Sequence, residues 1–388
     1  MRYYLFCTTF VKIKILAELE KMKNRRAITK AMIVGGLALL LSCSGNKEKR
    51  AEGAPPVATI PVDTVEREIP PCKRLKISTS GALPIKSLPV VETIEFPDTT
   101  EYFIGVPSCV EVRGDTIFAI DSSKAPGFYA YRRDGSQIFA YTSTGQGPED
   151  FMALRNLNVT DTELSAFDDG LCGIFIIDKN GDFVRTVKCP VYSLAASISD
   201  AGDMWVDFSN FDGMMDDIKL GWAPPGGRPD SLVTVLPIPE HLKGIYASGI
   251  RPLVRISANE WIFTPSFERY VYTLKDGKAY PRYELDFGNL WWDDEKMSKV
   301  AHSNDWAVQL QDFPIQPMYI QENERWFVVG FAVKREKRYV YVYDKLGGDS
   351  RTFIDHPRKY LHPIALDCND LFMNCVDNSN LEVLRLAD

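Results

Sequence analysis

Four histidines, His241, His302, His356 and His362, carry the most versatile side-chain chemistry in this sequence of 388 residues. None falls in an H-x-H or H-x-x-x-H pair, the spacings that put two imidazoles on one strand or helix face for zinc. His356 and His362 are each followed by proline, which suits a shaped loop better than a metal site. No G-x-S-x-G elbow, P-loop or dinucleotide fingerprint occurs, so the usual machinery of serine hydrolases, nucleotide hydrolases and hydride-transfer enzymes is missing. Asp207, Asp212, Asp216 and Asp217 cluster on one expected loop. Clustered carboxylates suit calcium, but this spacing fits no calcium loop, and a solvated acidic loop is the expectation. Cys172 and Cys189 flank Asn180-Gly181 almost symmetrically. A two-residue turn would place them directly opposite, within bridging distance, whereas a three-residue turn with a bulge would shift the register. They are the disulfide candidates, with a reduced, buried pair as the alternative.

What these residues can do depends on the elements that carry them. From residue 85 onward those are short strands and turns with almost no helical period. One unit recurs. Phe128-Tyr129-Ala130-Tyr131 precedes Asp134-Gly135, and Ile174-Phe175-Ile176-Ile177 precedes Asn180-Gly181. Tyr270-Val271-Tyr272-Thr273-Leu274 precedes Asp276-Gly277, and Tyr339-Val340-Tyr341-Val342-Tyr343 precedes Asp344. Asn-Gly and Asp-Gly accept positive φ and close hairpins. Gly135, Gly181 and Gly277 lie 46 and 96 residues apart, one repeat and then two, at the period of a propeller blade.

The remaining strands fall in step with this unit. Cys109 to Val112 turns at Gly114-Asp115 into Thr116 to Ile120, and Leu157 to Val159 turns at Asp161 into Glu163 to Phe167. Ala196 to Ile198 turns into Met204 to Val206, and Leu253 to Ile256 turns at Ala258-Asn259 into Trp261 to Phe263. Met318 to Ile320 leads into Trp326 to Val329, and Ile364 to Leu366 into Leu371 to Met373. Six such units predict an all-β fold, a six-bladed β-propeller of four-stranded antiparallel blades; one misread unit would make it five or seven. The sixth unit ends at Leu381 to Leu386 one strand short, and Val90 to Phe96 is the unassigned strand that can complete it and close the ring. Closure matters because an open ring leaves unpaired edges.

Asp293 to Gln311 predicts a small helical insertion between the fourth and fifth units, and Asp207 to Asp230 is a second insertion in the third. Trp205, Trp261 and Trp326 occupy equivalent second-strand positions, which predicts packing between blades. Trp222, Trp291, Trp292 and Trp306 lie in or beside the insertions. Aromatics there suit stacking on sugar rings or gripping a peptide; otherwise they bury the insertion against the propeller face.

The N-terminus carries an address. Lys23, Arg25, Arg26 and Lys30 precede an apolar run, Ala31 to Leu41, of 11 residues. A bilayer span needs about 20; this is the length of a signal-peptide core. The run ends in Leu40-Leu41-Ser42-Cys43, which resembles the lipobox of bacterial lipoproteins. The resemblance implies that residues 1–42 are removed, with Met22 the true start, and that Cys43 is acylated. Several acyl chains on one residue anchor durably. Residues 43–84 then read as the lipidated cysteine and its tether, and 85–388 as the propeller. Without an Asp after Cys43, outer-membrane attachment is implied, with the leaflet open. The body left after removal of residues 1–42 holds 37 basic and 50 acidic residues, a net charge of −13. That balance argues against nucleic acid as a partner.

Gly145-Gln146-Gly147-Pro148-Glu149-Asp150-Phe151 resembles the G-x-G-P-G-E-F segment of the bacterial six-bladed propeller lipoproteins, which are related to the NHL-repeat propellers. It departs at Glu149, where the family has a second glycine. The resemblance covers roughly residues 85–388 and implies architecture and location; its motif carries no catalytic residue. Related lactonase-type propellers hold a divalent ion at the channel centre through Glu, Asn and Asp side chains. Glu111, Asn158 and Asn259 are the corresponding candidates here, but an ordinary water-filled channel shows such residues too; no cofactor is expected, a divalent cation at these residues being the alternative. The leading expectation is a non-enzymatic binding module of the cell envelope, gripping a glycan, peptide or protein partner and held to the lipid bilayer through Cys43. A metal-dependent lactonase- or esterase-like hydrolase with its site in the central channel is the first alternative, and a structural subunit of an envelope complex the second.

Overall fold

The computed structural model describes residues 71–96, 104–190, 193–210, 217–227, 232–243, 245, 251–303, 309, 313, 316–334, 337–376 and 380–387. Six antiparallel sheets form the blades. Blade 1 comprises Cys109–Arg113, Thr116–Asp121, Gly127–Arg132 and Gln137–Tyr141. Blade 2 comprises Leu154–Val159, Glu163–Asp168, Gly173–Asp178 and Phe183–Lys188. Blade 3 comprises Ala195–Ile198, Met204–Asp207, Ile218–Ala223 and Val233–Pro237. Blade 4 comprises Leu253–Ser257, Glu260–Phe263, Tyr270–Lys275 and Lys278–Asp286. Blade 5 comprises Gln316–Glu322, Trp326–Val333, Lys337–Asp344 and Ser350–Asp355. Blade 6 comprises Tyr360–Asp367, Asp370–Cys375 and Leu381–Arg385, completed by Val90–Ile94.

That last strand pairs antiparallel with Leu381–Arg385, Ile94 opposite Leu381, so the N-terminal end of the propeller closes the ring as expected. The first strands of successive blades touch in cyclic order around the axis, with blade 6 returning to blade 1.

Burial follows from blades packing face to face. A middle strand has a neighbouring blade on each side, so both of its faces must be apolar and period-2 alternation disappears. Ile174, Phe175, Ile176 and Ile177 all lie at 0% exposure. The outermost strand of the same blade, Phe183–Lys188, meets solvent and turns polar. Trp205, Trp261 and Trp326 are buried between blades, as their equivalent positions required: Trp205 and Trp261 share one core between blades 3 and 4, and Trp326 sits in the core between blades 5 and 6. The hairpin glycines Gly135, Gly181 and Gly277 take φ of +84°, +93° and +71°, the left-handed region that side chains avoid.

Part of the stretch 43–84 that reads as tether in the sequence pairs with the propeller. Lys73–Lys76 adds a fifth, parallel strand to the outside of blade 4, Leu75 opposite Leu285. Leu83–Pro84 adds likewise to blade 5. Leu75 and Ile77 are buried there. Two isolated apolar positions among polar residues give no periodic signal, which is why this stretch read as linker. The helical insertion is present as Asp294–Ala301, capped by the Asp293 carboxylate accepting from the Lys296 N–H.

Candidate functional site

The centre of the ring is filled by a polar plug. Glu111 lies in the first strand of blade 1 and is buried. Arg251, just before the first strand of blade 4, reaches across the axis to it. One guanidinium nitrogen of Arg251 donates to Glu111 Oε1 and to the Leu157 carbonyl of blade 2 at 3.0 Å; another donates to the Val110 carbonyl at 3.2 Å. Arg113 approaches the other Glu111 oxygen at 3.5 Å. Blade 2 contributes a bulge between Arg155 and Asn158, where Asn156 takes φ +56°. The bulge turns Asn156 inward, where it accepts from the Leu253 N–H at 3.3 Å and donates to the Ala196 carbonyl at 3.4 Å. Asn158 donates to the Asn156 carbonyl at 3.0 Å. Asn156 and Arg251 thus tie the first strands of four blades to one another across the axis.

This arrangement does not bring the candidate cation ligands together. Glu111 is engaged by two guanidinium groups. Asn158 hydrogen-bonds its own strand, and Asn259 is exposed at the turn between the first two strands of blade 4. The three do not converge, and the positive charge beside Glu111 is supplied by the chain itself. Among the described residues no three His, Cys, Asp or Glu side chains gather in a metal-ligating group. Arg251 escaped sequence reasoning because its role rests on a contact between opposite blades; the only local hint was an arginine before Pro252 at the entry to an apolar strand.

The insertion tryptophans divide. Trp222 packs between blades 3 and 4: its indole N–H donates to Asp203 at 3.1 Å, and its ring lies against Gly277, where a Cβ would sit 2.8 Å from it. Trp291 and Trp292 are half-buried neighbours at the foot of the inserted helix. Both set a ring edge-to-face against Phe313, with centroids 5.2 and 5.1 Å away. Arg269 stands over Trp291 at 5.9 Å and Lys296 over Trp292 at 4.0 Å. Two indoles held on one buried ring, each beside a cation, form a rigid and partly open aromatic surface. Trp306 and Cys43 lie outside the described residues, as do Asp212 and Asp216.

Other expectations resolve individually. Cys172 and Cys189 do face each other across the blade 2 hairpin, the Cys189 N–H donating to the Cys172 carbonyl at 2.9 Å, yet the bridge is not formed. Cys172 adopts φ +52°, which turns its Cβ out of the regular pleat, and the Cys189 thiol points instead at Met204 Sδ, 3.7 Å away in blade 3. Burial pushes the Cys189 thiol up to about 12.

Asp207 ends a strand and is buried; it faces the fully buried Lys219, whose ammonium is paired with Glu268. Burial pulls the Lys219 pKa down, against the pull of Glu268 and Asp207. His356 lies in a loop as expected, but His362 is inside the first strand of blade 6, its ring stacked on Tyr319 with centroids 3.6 Å apart. Asp121 and Asp168 were not singled out in the sequence. Each ends the second strand of its blade, fully buried, and gathers backbone N–H groups from two loops. Asp168 accepts from Met152, Ala153, Gly170 and Leu171 at 2.8 to 3.2 Å.

With this architecture in view, the chain can be set beside known proteins. A solved structure from Bacteroides fragilis, of a protein described as exported, superposes with a TM-score of 0.66 at 12% identity, over 81% of this chain and 100% of that one. A member of the DUF4221 family from Bacteroides vulgatus gives a TM-score of 0.48 at 10% identity, over 77% of this chain and 97% of that one. No curated protein matches the sequence significantly. Residues 85–358 match the DUF5128 family, described as a 6-bladed beta-propeller. That span covers well over half of the sequence, and the chain belongs to this family of six-bladed β-propellers.

Proposed function

We propose that this protein is an exported lipoprotein, anchored to the outer membrane through Cys43, whose propeller is a binding module for a glycan, peptide or protein partner of the envelope. The observation that carries the binding reading is the pair Trp291 and Trp292, fixed on Phe313 and partly open at their outer faces. Rigid indoles lose little conformational entropy on binding and bury large area, which makes them effective anchors. The anchoring reading rests on the Leu40-Leu41-Ser42-Cys43 segment after a short apolar core. The plug supports binding over channel hydrolysis, because Arg251 and Arg113 hold the carboxylate that a channel-centred metal would need.

The test has two arms. Cys43→Ser should move the protein from the membrane fraction to the soluble fraction and abolish labelling by a palmitate analogue. Trp291→Ala with Trp292→Ala should remove the thermal shift that envelope glycans or peptides induce in the soluble body, residues 57–388. A Cys43→Ser protein that stays lipid-labelled would overturn the anchor. Ligand shifts indifferent to both tryptophans would overturn the site.

A further inference from the structure

On the opposite face of the ring from the tryptophans lies a second candidate site, between blades 1 and 2. The turn joining the first and second strands of a blade and the turn joining its third and fourth open on the same face, whereas the insertion follows a fourth strand and so belongs to the other. At this face a cavity of about 320 Å³ is lined by Arg113, Thr116, Phe118, Ala130, Ile138 and Lys179. That is the lower end of the size range for small-molecule sites.

The charges around it do not balance. Arg251, Arg113 and Lys179 gather near Glu111, and Glu111 spends one oxygen on Arg251 and the other on Arg113. Lys179 reaches over from the blade 2 hairpin and lies 4.4 Å above the Phe118 ring, with no ion pair of its own among the described residues. Asp161 and Glu111 act on it only at longer range. Its partial burial and the neighbouring Arg113 press its pKa down, against the weaker opposing pull of Asp161 and Glu111. The wall behind the pair is apolar: Phe118 and Ala130 are buried and Ile138 is 43% exposed.

We propose that this cavity binds a small ligand through a single carboxylate, set between the Arg113 guanidinium and the Lys179 ammonium, with the carbon skeleton against Phe118, Ala130 and Ile138. The body's net charge of −13 repels polyanions at long range, while a monoanion inside the cavity meets mainly the two nearby cations, since screening sets in over about 8 Å. Thr116 offers a hydroxyl for a second contact. Two sources could present such a group: a hexuronate residue of a glycan, or the C-terminal carboxylate of a peptide.

The test is titration calorimetry on the intact chain carrying Cys43→Ser. Glucuronate and acetyl-Ala-Ala-Ala are the probes; glucose and the tripeptide amide are their neutral controls. At least one acid should bind at least tenfold more tightly than its control, and binding should weaken as salt is raised. Glucuronate alone would identify a glycan acid, the tripeptide alone a chain terminus, and both a general carboxylate site. Lys179→Gln and Arg113→Gln should each weaken binding about tenfold, the worth of one charge-assisted contact, and Lys179→Gln should hold the unfolding midpoint within about 1 °C as for ordinary surface changes. Lys179→Glu should abolish binding and serves as the check should Arg113→Gln disturb the plug. No binding of either acid at 10 mM, neutral controls that bind equally, or affinity unchanged in both Lys179 variants would overturn the proposal.

Discussion

Arg251→Ala removes a side chain that reaches across the ring axis, and its cost can be worked from its contacts. The guanidinium is 4% exposed and Glu111 11%, so the pair is desolvated. Truncating one partner of such a pair leaves an uncompensated buried charge, at a cost of about 3–5 kcal/mol. Arg113 remains 3.5 Å from Glu111, which puts the expectation at the lower end, about 3 kcal/mol, even with the Val110 and Leu157 carbonyls also losing a donor. For a domain of this size roughly 2 °C of melting temperature accompanies each kcal/mol, so the midpoint should fall by about 6 °C. Glu111→Gln in the Arg251→Ala background removes the orphaned charge and should recover about half of the loss, giving a coupling of at least about 1 kcal/mol in the double-mutant cycle. Thermal melts of the four proteins, read by circular dichroism, decide it. A fall under about 2 °C for Arg251→Ala, or additive single changes, would refute the plug as a buried ion pair.

Two further outcomes follow from buried groups outside the plug. Burial, with Arg338 and Arg358 adding to it, pulls the His362 pKa from the ordinary 6.5 to about 3. A folded value below the unfolded one means the unfolded chain binds the extra proton, so stability is full above pH 6.5 and is lost as pH falls toward 3. At pH 4.5 the loss should be about 2–3 kcal/mol. His362→Phe, which keeps the stack on Tyr319, should match the native protein at pH 7.5 and exceed it at pH 4.5; parallel stability profiles would count against the assignment. Asp168→Ala strands four backbone N–H groups and should cost about 3 kcal/mol or more in urea unfolding, while Asp161→Ala at an exposed turn should cost under about 0.5 kcal/mol; equal costs would show that the Asp168 hydrogen bonds do not stabilise the blade.

The blades were legible because each repeats a local signal. The apolar runs at Phe128, Ile174 and Tyr339 and the turn residues at Gly135, Gly181 and Gly277 express backbone needs that sequence neighbours alone impose. The closing strand was legible by arithmetic, since blade 6 ended one strand short and Val90–Ile94 was unassigned. Lys73–Lys76 was not legible, because an outer edge strand buries one side chain in four and so has no period to show. The Cys172 and Cys189 register followed from the hairpin, but the thiol directions did not, because a left-handed residue breaks the pleat that register arithmetic assumes.

The channel resisted reading for a related reason. Glu111, Asn156 and Asn158 are polar residues at strand positions where a packed blade would place apolar ones, so the pattern sets them apart without saying for what. An acid and two amides near an axis are what a metal site and a self-neutralised plug have in common. The residue that separates the two is Arg251, some 140 positions from Glu111, and nothing local links them. Its guanidinium and Asn156 tie the first strands of blades 1 to 4 together across the axis. The two faces carry the remaining features, an aromatic surface beside the insertion on one and Lys179 over the Phe118 ring on the other.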